Sequence, residues 1–363
     1  MINRSNDADI STHIPAEAMN PLGDPAAWKC EELANNEDWQ FKITATEIEE
    51  LEDATESVLT RGLDIKDITL KDFPLPSLDA KLAEVRDQII NGKGIAVLRG
   101  VPVDLDNMER NAIAYWGIGL RVGTPVSQNY KGHLLGHVAD LIGPSRENPN
   151  QRAYHTSAHL DYHSDSCDVV VLYCLHAAKS GGTSTIASSA TIYNEMLERR
   201  PDLVEELIKP WFRDRREEIP PGKGPWFELP VFNFAAGYFS ASWQNFYIRS
   251  AQRFEELPRF TDSQVEALDL VNSLADEFHH NMDFKPGDIQ FLHNHVTVHA
   301  RSAYEDWPEP ERRRHLLRLW LATPGGRPLP DAYLDRYVGL KPGQRPSGIV
   351  VENMELSTPL VPE

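Results

Sequence analysis

The stretch His159-Leu160-Asp161-Tyr162-His163-Ser164-Asp165, taken with the distant His299, constrains this chain more than any other feature. On an extended strand, side chains at i and i+2 point to one face, so His163 and Asp165 would converge on a single point. His159 and Asp161 share that spacing, and the residues alone leave both pairs open. Two such ligands hold a metal poorly, so a third must arrive from elsewhere in the chain. The chain has 13 histidines, most of which need no function beyond packing or solvation. His155, His159, His176, His279, His280, His293, His295 and His315 all compete for attention.

With 363 residues, 41% of them hydrophobic, the chain can bury a large core. Its net charge of -19 argues against nucleic acid or an anionic membrane as partner. A small anionic substrate stays compatible, because a local cationic pocket overrides the global field. Cys30, Cys167 and Cys174 lack the spacing of a disulfide framework or zinc site. The opening MINRSNDADISTHIP has no apolar signal core, and no run approaches the roughly 20 apolar residues of a membrane span. A cytoplasmic protein with a small-molecule substrate is expected, and self-association is compatible with that expectation.

Taken in order, residues 1 to 75 read as an acidic extension that Trp28, Trp39 and Phe41 pack onto the main body. Helical spacing covers Ile48 to Leu63, Leu78 to Ile90 and Met108 to Gly119, with a strand at Ile95 to Leu98 between. Gly123 to Tyr130 reads as a polar loop. From residue 153 strand patterns dominate: Asp168 to His176, Thr183 to Ser188, Pro230 to Phe232, Tyr238 to Ile248, Asp288 to Leu292 and Arg314 to Ala322. Helices are expected from Ala190 to Ile208, interrupted near Pro201, and after the capping box Thr261-Asp262-Ser263-Gln264. The fold class expected is mainly β with helical decoration (α+β). Its core is a double-stranded β-helix, or jelly roll, with an N-terminal helical extension and inserted helices. One domain over 76–340 and a tail over 341–363 complete the division.

Two histidines plus one carboxylate on one side of an octahedral ion is the arrangement of non-haem Fe(II) oxygenases. Three blocks sharpen that reading: His163-Ser164-Asp165; Gly181-Gly182-Thr183-Ser184; and Pro286-Gly287-Asp288 followed by Asn294, His299-Ala300-Arg301 and Arg314-His315-Leu316-Leu317-Arg318-Leu319-Trp320. In this order they resemble the TauD/TfdA family of Fe(II)- and 2-oxoglutarate-dependent dioxygenases. The resemblance runs from His163 to Leu321.

The resemblance implies that His163, Asp165 and His299 hold Fe(II), and that Arg314 binds the far carboxylate of 2-oxoglutarate. Ser184 stands at the family's hydroxyl position, with Thr183 or Thr185 serving if the register slips. Arg318 matches a residue that holds a substrate anion in taurine-type relatives. Asn294, His159, Gln128 and Asn129 are candidates for supporting or substrate contacts, and His293 and His295 depart from the family's pattern. The physical case for Arg314 is separate: arginine presents a planar fork suited to a carboxylate. On an extended strand Arg314, Leu316, Arg318 and Trp320 share one face, and two arginines among apolar residues suit an anion pocket. The cofactors implied are Fe(II), 2-oxoglutarate and O2. Because Asp165 is present, hydroxylation is favoured over halogenation. Desaturation, ring closure or demethylation are the alternatives. A zinc hydrolase leaves Arg314 unexplained, and a non-catalytic jelly-roll protein would be expected to lack a metal ligand.

Overall fold

A computed structural model describes residues 17–143, 155–337, 340–341 and 344–363. The reading of the first 15 residues therefore lies outside the described residues.

Two sheets face each other. The longer runs in the order Gln40–Lys42, Ile95–Arg99, Ile289–His293, Val169–His176, His315–Ala322 and Thr124–Pro125, with Leu135–Ala139 also paired to His315–Ala322. Only its first pair is parallel. The shorter sheet orders His280–Met282, Ser184–Ser188, Thr297–Arg301 and Leu160–His163. Neither sheet closes into a barrel. The class is α+β, with mixed sheets and helices.

Alternation along each strand sorts side chains between an inner and an outer layer. In Thr297–Arg301, Val298 and Ala300 pack outward against Ile192, Leu203, Leu268 and Val271 of the helices, while His299 turns inward. On the other side, Phe291, Leu317 and Leu319 of the long sheet pack beneath Leu51, Val58, Leu82 and Trp116. Between the sheets lie Ile95, Val97, Val170, Leu292 and Trp320 with Ile186 and Met282. Each such buried aliphatic or aromatic side chain contributes about 1.5–3 kcal/mol. The candidate site occupies the polar end of this inner layer.

Caps set the helix ends. Ala45–Arg61 starts three residues ahead of the expected boundary because Thr44 and Glu47 form a reciprocal capping box. It ends at Gly62, whose φ of 65° completes the left-handed C-cap. The expected helix 190–208 is two helices, Ser189–Arg199 and Pro201–Ile208, broken at Arg200 ahead of the proline. Asp262–Phe278 begins at the predicted Thr261/Gln264 box. The strand expected over 238–248 is shorter, Tyr238–Ala241, because its partner Phe232–Ala235 offers only four residues. A helix, Asn245–Ser250, follows. Trp28 and Trp39 are buried in the inner layer, and Gln40–Lys42 extends the long sheet. Among the described residues, no helix is long and apolar enough to cross a membrane.

Candidate metal centre and cosubstrate pocket

His163 and His299 stand opposite each other across the ladder of the short sheet, with ring centroids 4.2 Å apart. The Nδ1–H of His163 donates to the Asp161 carbonyl at 2.9 Å, which leaves Nε2 as its free donor atom. Asp165 completes the set from the loop. The strand ends at His163, because Ser164 is tied to the neighbouring segment. Its N–H donates to the Trp243 carbonyl at 2.7 Å, and its hydroxyl accepts the Trp243 N–H at 2.9 Å. The strand geometry expected for His163-Ser164-Asp165 is thus corrected. Asp165 is aimed by its own backbone N–H, which donates to Asn294 Oδ1 at 2.9 Å.

The three side chains converge closely. His163 Nε2 lies 4.0 Å from Asp165 Oδ1, and His299 Nε2 lies 3.8 Å from Asp165 Oδ2. All the donor atoms fall within 4.8 Å of one another, the sole such group among the described residues. Burial would raise the Asp165 carboxyl, but Arg318 and the two histidines overcome it and hold the group below its usual range. Burial drives His299 down to about 3, so its imidazole is neutral and can offer a lone pair. Asp165 Oδ2 is buried with no hydrogen-bond partner. An orphaned carboxylate oxygen is costly unless a cation meets it. Two imidazoles and one carboxylate suit a divalent ion such as Fe(II) and leave positions open. The alternative pair does not converge there: His159 and Asp161 are exposed and pair with each other at 3.2 Å.

Arg314 sits just ahead of the strand His315–Ala322 and is 5% exposed. Its guanidinium lies over the Tyr304 ring at 5.2 Å, and Nη1 has no hydrogen-bond partner. Burial lowers its pKa, and the nearby Tyr304, Cys174 and Asp306 offset that only in part. Gly182, at φ +69°, lets the backbone pass beside it, since a Cβ there would stand 3.1 Å from Arg314 Nε. Ser184 Oγ donates to Gln290 Oε1 at 3.2 Å inside the layer, and Gln290 Nε2 has no partner. Arg314 Nη1 and Gln290 Nε2 are therefore unmatched donors facing the inner layer, the character wanted by an acidic cosubstrate.

The remaining candidates separate. Thr183 is exposed, and its N–H donates to Ser302 Oγ. Thr185 is engaged with Asn281 Oδ1 at 3.1 Å. Arg318 Nε donates to Gln128 Oε1 at 2.7 Å, and its guanidinium lies 5.1 Å from the Trp320 ring. Gln128 is buried and spent on that contact and on two carbonyls, Leu134 and Arg318. Asn129 closes a turn by accepting the N–H groups of Lys131 and His133. His293 is buried with neither ring nitrogen partnered, whereas His295 Nε2 lies 2.9 Å from Asp168 Oδ1. Sequence reasoning missed Gln290, whose signal was a polar residue inside the apolar run Ile289 to Leu292. It also missed the Asp168–His295–Arg345 network.

The chain is similar to known proteins over most of its length. The family model for the taurine catabolism dioxygenase TauD, TfdA family matches residues 60–320. An FR-33289 synthase of Streptomyces rubellomurinus is 31% identical over 335 residues, covering 90% of this chain and 98% of its own. A taurine hydroxylase-like protein of Stachybotrys chartarum is 31% identical, covering 88% and 86%. Among solved structures, an asparagine oxygenase with Fe(II), a hydroxyasparagine and succinate superposes with a TM-score of 0.60 at 20% identity, over 78% of this chain and 93% of that one. The non-haem iron oxygenase OrfP, solved with iron and α-ketoglutaric acid, gives 0.59 at 15% identity, with the same coverage. The chain belongs to the TauD/TfdA family of Fe(II)- and 2-oxoglutarate-dependent dioxygenases.

Proposed function

We propose that His163, Asp165 and His299 hold the Fe(II) and that Arg314, with Ser184 and Gln290, receives the far end of 2-oxoglutarate. The two facing sheets are then a flattened jelly roll with the metal at one mouth. The observation that carries this is the pairing of one convergent three-ligand cluster with one buried arginine whose Nη1 is unpartnered. Bound iron and cosubstrate supply the oxidising power for O2 chemistry at a substrate C–H bond, with succinate and CO2 released. The chain's own work is positioning and shielding. Asn294 aims Asp165, the Asp161 carbonyl fixes the His163 tautomer, and burial keeps His299 neutral. The Arg318 charge beside Asp165 keeps that carboxylate ionised, and Gln128 holds Arg318 in place.

The reaction we assign is hydroxylation of a small, charged molecule, since all three metal positions are kept. Two lines support a charged substrate. Relatives in Amycolatopsis and Streptomyces are named uridine-5'-phosphate dioxygenases, and the solved neighbours carry hydroxylated asparagine or arginine. Arg318 adds a buried cation near the metal ligands. The three cysteines form no disulfide, in keeping with a cytoplasmic enzyme.

Anaerobic Fe(II) titration of the wild type and of His163→Ala, Asp165→Ala and His299→Ala tests the ligand set. One ion per chain is expected, with binding lost in each variant. Undiminished binding in His299→Ala would assign the third position to another residue, His293 first.

A further inference from the structure

Tyr304 is enclosed by two buried arginines. Its ring centroid lies 4.8 Å from the guanidinium carbon of Arg301 and 5.2 Å from that of Arg314, and the residue is only 9% exposed. Such cation–π contacts hold the ring in place. The backbone is held as well: the Tyr304 N–H donates to the Ser157 carbonyl at 3.0 Å, and Tyr304 pairs with Gly181 across a short antiparallel ladder. A Cβ on Gly182 would stand 3.4 Å from the Tyr304 Cβ and 3.1 Å from Arg314 Nε. The bare glycine therefore lets the two side chains lie together.

The hydroxyl at the end of this ring is buried and has no hydrogen-bond partner. Buried hydroxyls are normally satisfied, because leaving one unbonded is costly. It does not bond the nearby Asp306, whose Oδ1 accepts the Arg314 N–H at 2.7 Å and whose Oδ2 is also unpartnered. Burial raises the phenol pKa against the pull of Arg314 and Arg301, so the group keeps its proton and can donate. Tyr304 also does more than Cys174 or Asp306 to offset the burial of the Arg314 charge. Two unmatched donors, Arg314 Nη1 and the Tyr304 hydroxyl, thus belong to side chains in contact.

We infer that the Tyr304 hydroxyl donates a hydrogen bond to the far carboxylate of 2-oxoglutarate, alongside Arg314. A carboxylate offers two oxygens and about four lone-pair sites, so one guanidinium fork does not exhaust it. The phenol adds a donor without adding a second charge, which keeps the pocket matched to a single carboxylate. Because the ring is already held, little freedom is lost when the cosubstrate arrives. Tyr304 lies five residues past His299, so the segment leaving the strand of a proposed metal ligand also delivers this donor. The inference rests on the dioxygenase reading and adds a residue to its cosubstrate pocket.

Tyr304→Phe tests it, since this change removes the oxygen and keeps the ring against both guanidinium groups. The readout is the visible band of the anaerobic Fe(II) protein titrated with 2-oxoglutarate, beside a melting curve. The variant should need about tenfold more 2-oxoglutarate, as expected for a lost hydrogen bond to a charged group, with an unlowered melting temperature. 2-Oxobutyrate, which has the same 2-oxo acid end but no far carboxylate, should bind wild type and variant alike. Adding Tyr304→Phe to Arg314→Ala should weaken 2-oxoglutarate further, because each group contacts the carboxylate on its own.

A Tyr304→Phe titration that overlays the wild type would overturn the inference, as would an equal loss for 2-oxobutyrate. A clearly lowered melting temperature would do the same, by showing that the fold already uses the hydroxyl. No further loss in the double variant would reduce Tyr304 to a support for Arg314. All four outcomes leave the dioxygenase reading standing, whereas absence of the band in the wild type would remove both.

Discussion

The side-chain oxygen of Asn294 accepts the backbone N–H of Asp165 at 2.9 Å, across 129 residues of sequence. The Asn294 amide in turn donates to Cys167 Sγ at 3.1 Å, and its backbone N–H to the Asp168 carbonyl at 2.9 Å. The loop that carries Asp165 is thus moored to the turn before the strand that carries His299. Supporting contacts of this kind are worth about 10–100-fold in metal affinity. Asn294→Ala should lower Fe(II) affinity within that range without unfolding the protein, as read by anaerobic titration beside a melting curve. Unchanged affinity would mean that the loop holds its shape without Asn294.

The glycine pair beside Arg314 makes a second prediction. Gly182 has φ +69°, and a Cβ there would press on Arg314 Nε, so Gly182→Ala combines backbone strain with displacement of the arginine. Gly222, at φ +74°, has nothing within 4 Å and supplies the strain-only control. Both variants should lose about 1 kcal/mol of stability. Only Gly182→Ala should also raise the 2-oxoglutarate requirement, measured as KM for the cosubstrate.

Stability should fall in mild acid, and His315 identifies part of the reason. Burial first, then His137, His176 and Arg314, hold its pKa near about 3 in the folded chain. An unfolded histidine titrates near about 6.5, so between those values the unfolded chain binds the extra proton. Stability is therefore fully present above pH ~6.5 and declines as pH falls toward ~3, by up to about 1.4 kcal/mol per pH unit for each such group. His293 and His295 are shifted in the same direction by burial and add to the slope. His315→Gln should flatten the dependence of melting temperature between pH 6.5 and 5 by one proton's worth. An unchanged slope would mean that His315 stays neutral in both states or charged in both.

The C-terminal segment is fastened three residues along the chain from Asp165. Arg345 pairs with Asp168, which is 0% exposed and also engages His295. Burial alone would raise Asp168, but the hydrogen bonds from His295 and Arg345 hold it at about 2. Removing Arg345 leaves the buried Asp168 with His295 and the Thr323 N–H, so the cost is that of one lost charged hydrogen-bonding partner, about 1–3 kcal/mol. Arg345→Ala should show that loss in chemical denaturation. A loss below about 1 kcal/mol would make the pair ornamental.

How far the sequence could be read follows from range. The capping boxes at Thr44 and Thr261, the break before Pro201 and the main strands are local signals, and they appear where hydrogen bonding within a few residues decides the outcome. The alternation argued for His163-Ser164-Asp165 does not apply, because Ser164 is captured by Trp243, 79 residues away. The polar loop left Gln128 open as a supporting or a substrate contact, and its side chain is spent on Arg318 across 190 residues.

The central claim is that one iron and one 2-oxoglutarate meet between His163, Asp165, His299 and Arg314. The most direct measurement is anaerobic addition of 2-oxoglutarate to the Fe(II) protein, followed by visible absorption. A weak charge-transfer band should appear at one equivalent of each in the wild type. In Arg314→Ala it should need at least about tenfold more 2-oxoglutarate, since loss of a charge-assisted pair costs a few kcal/mol and each ~1.4 kcal/mol is tenfold. Absence of the band in the wild type, or an Arg314→Ala titration that overlays it, would contradict the account.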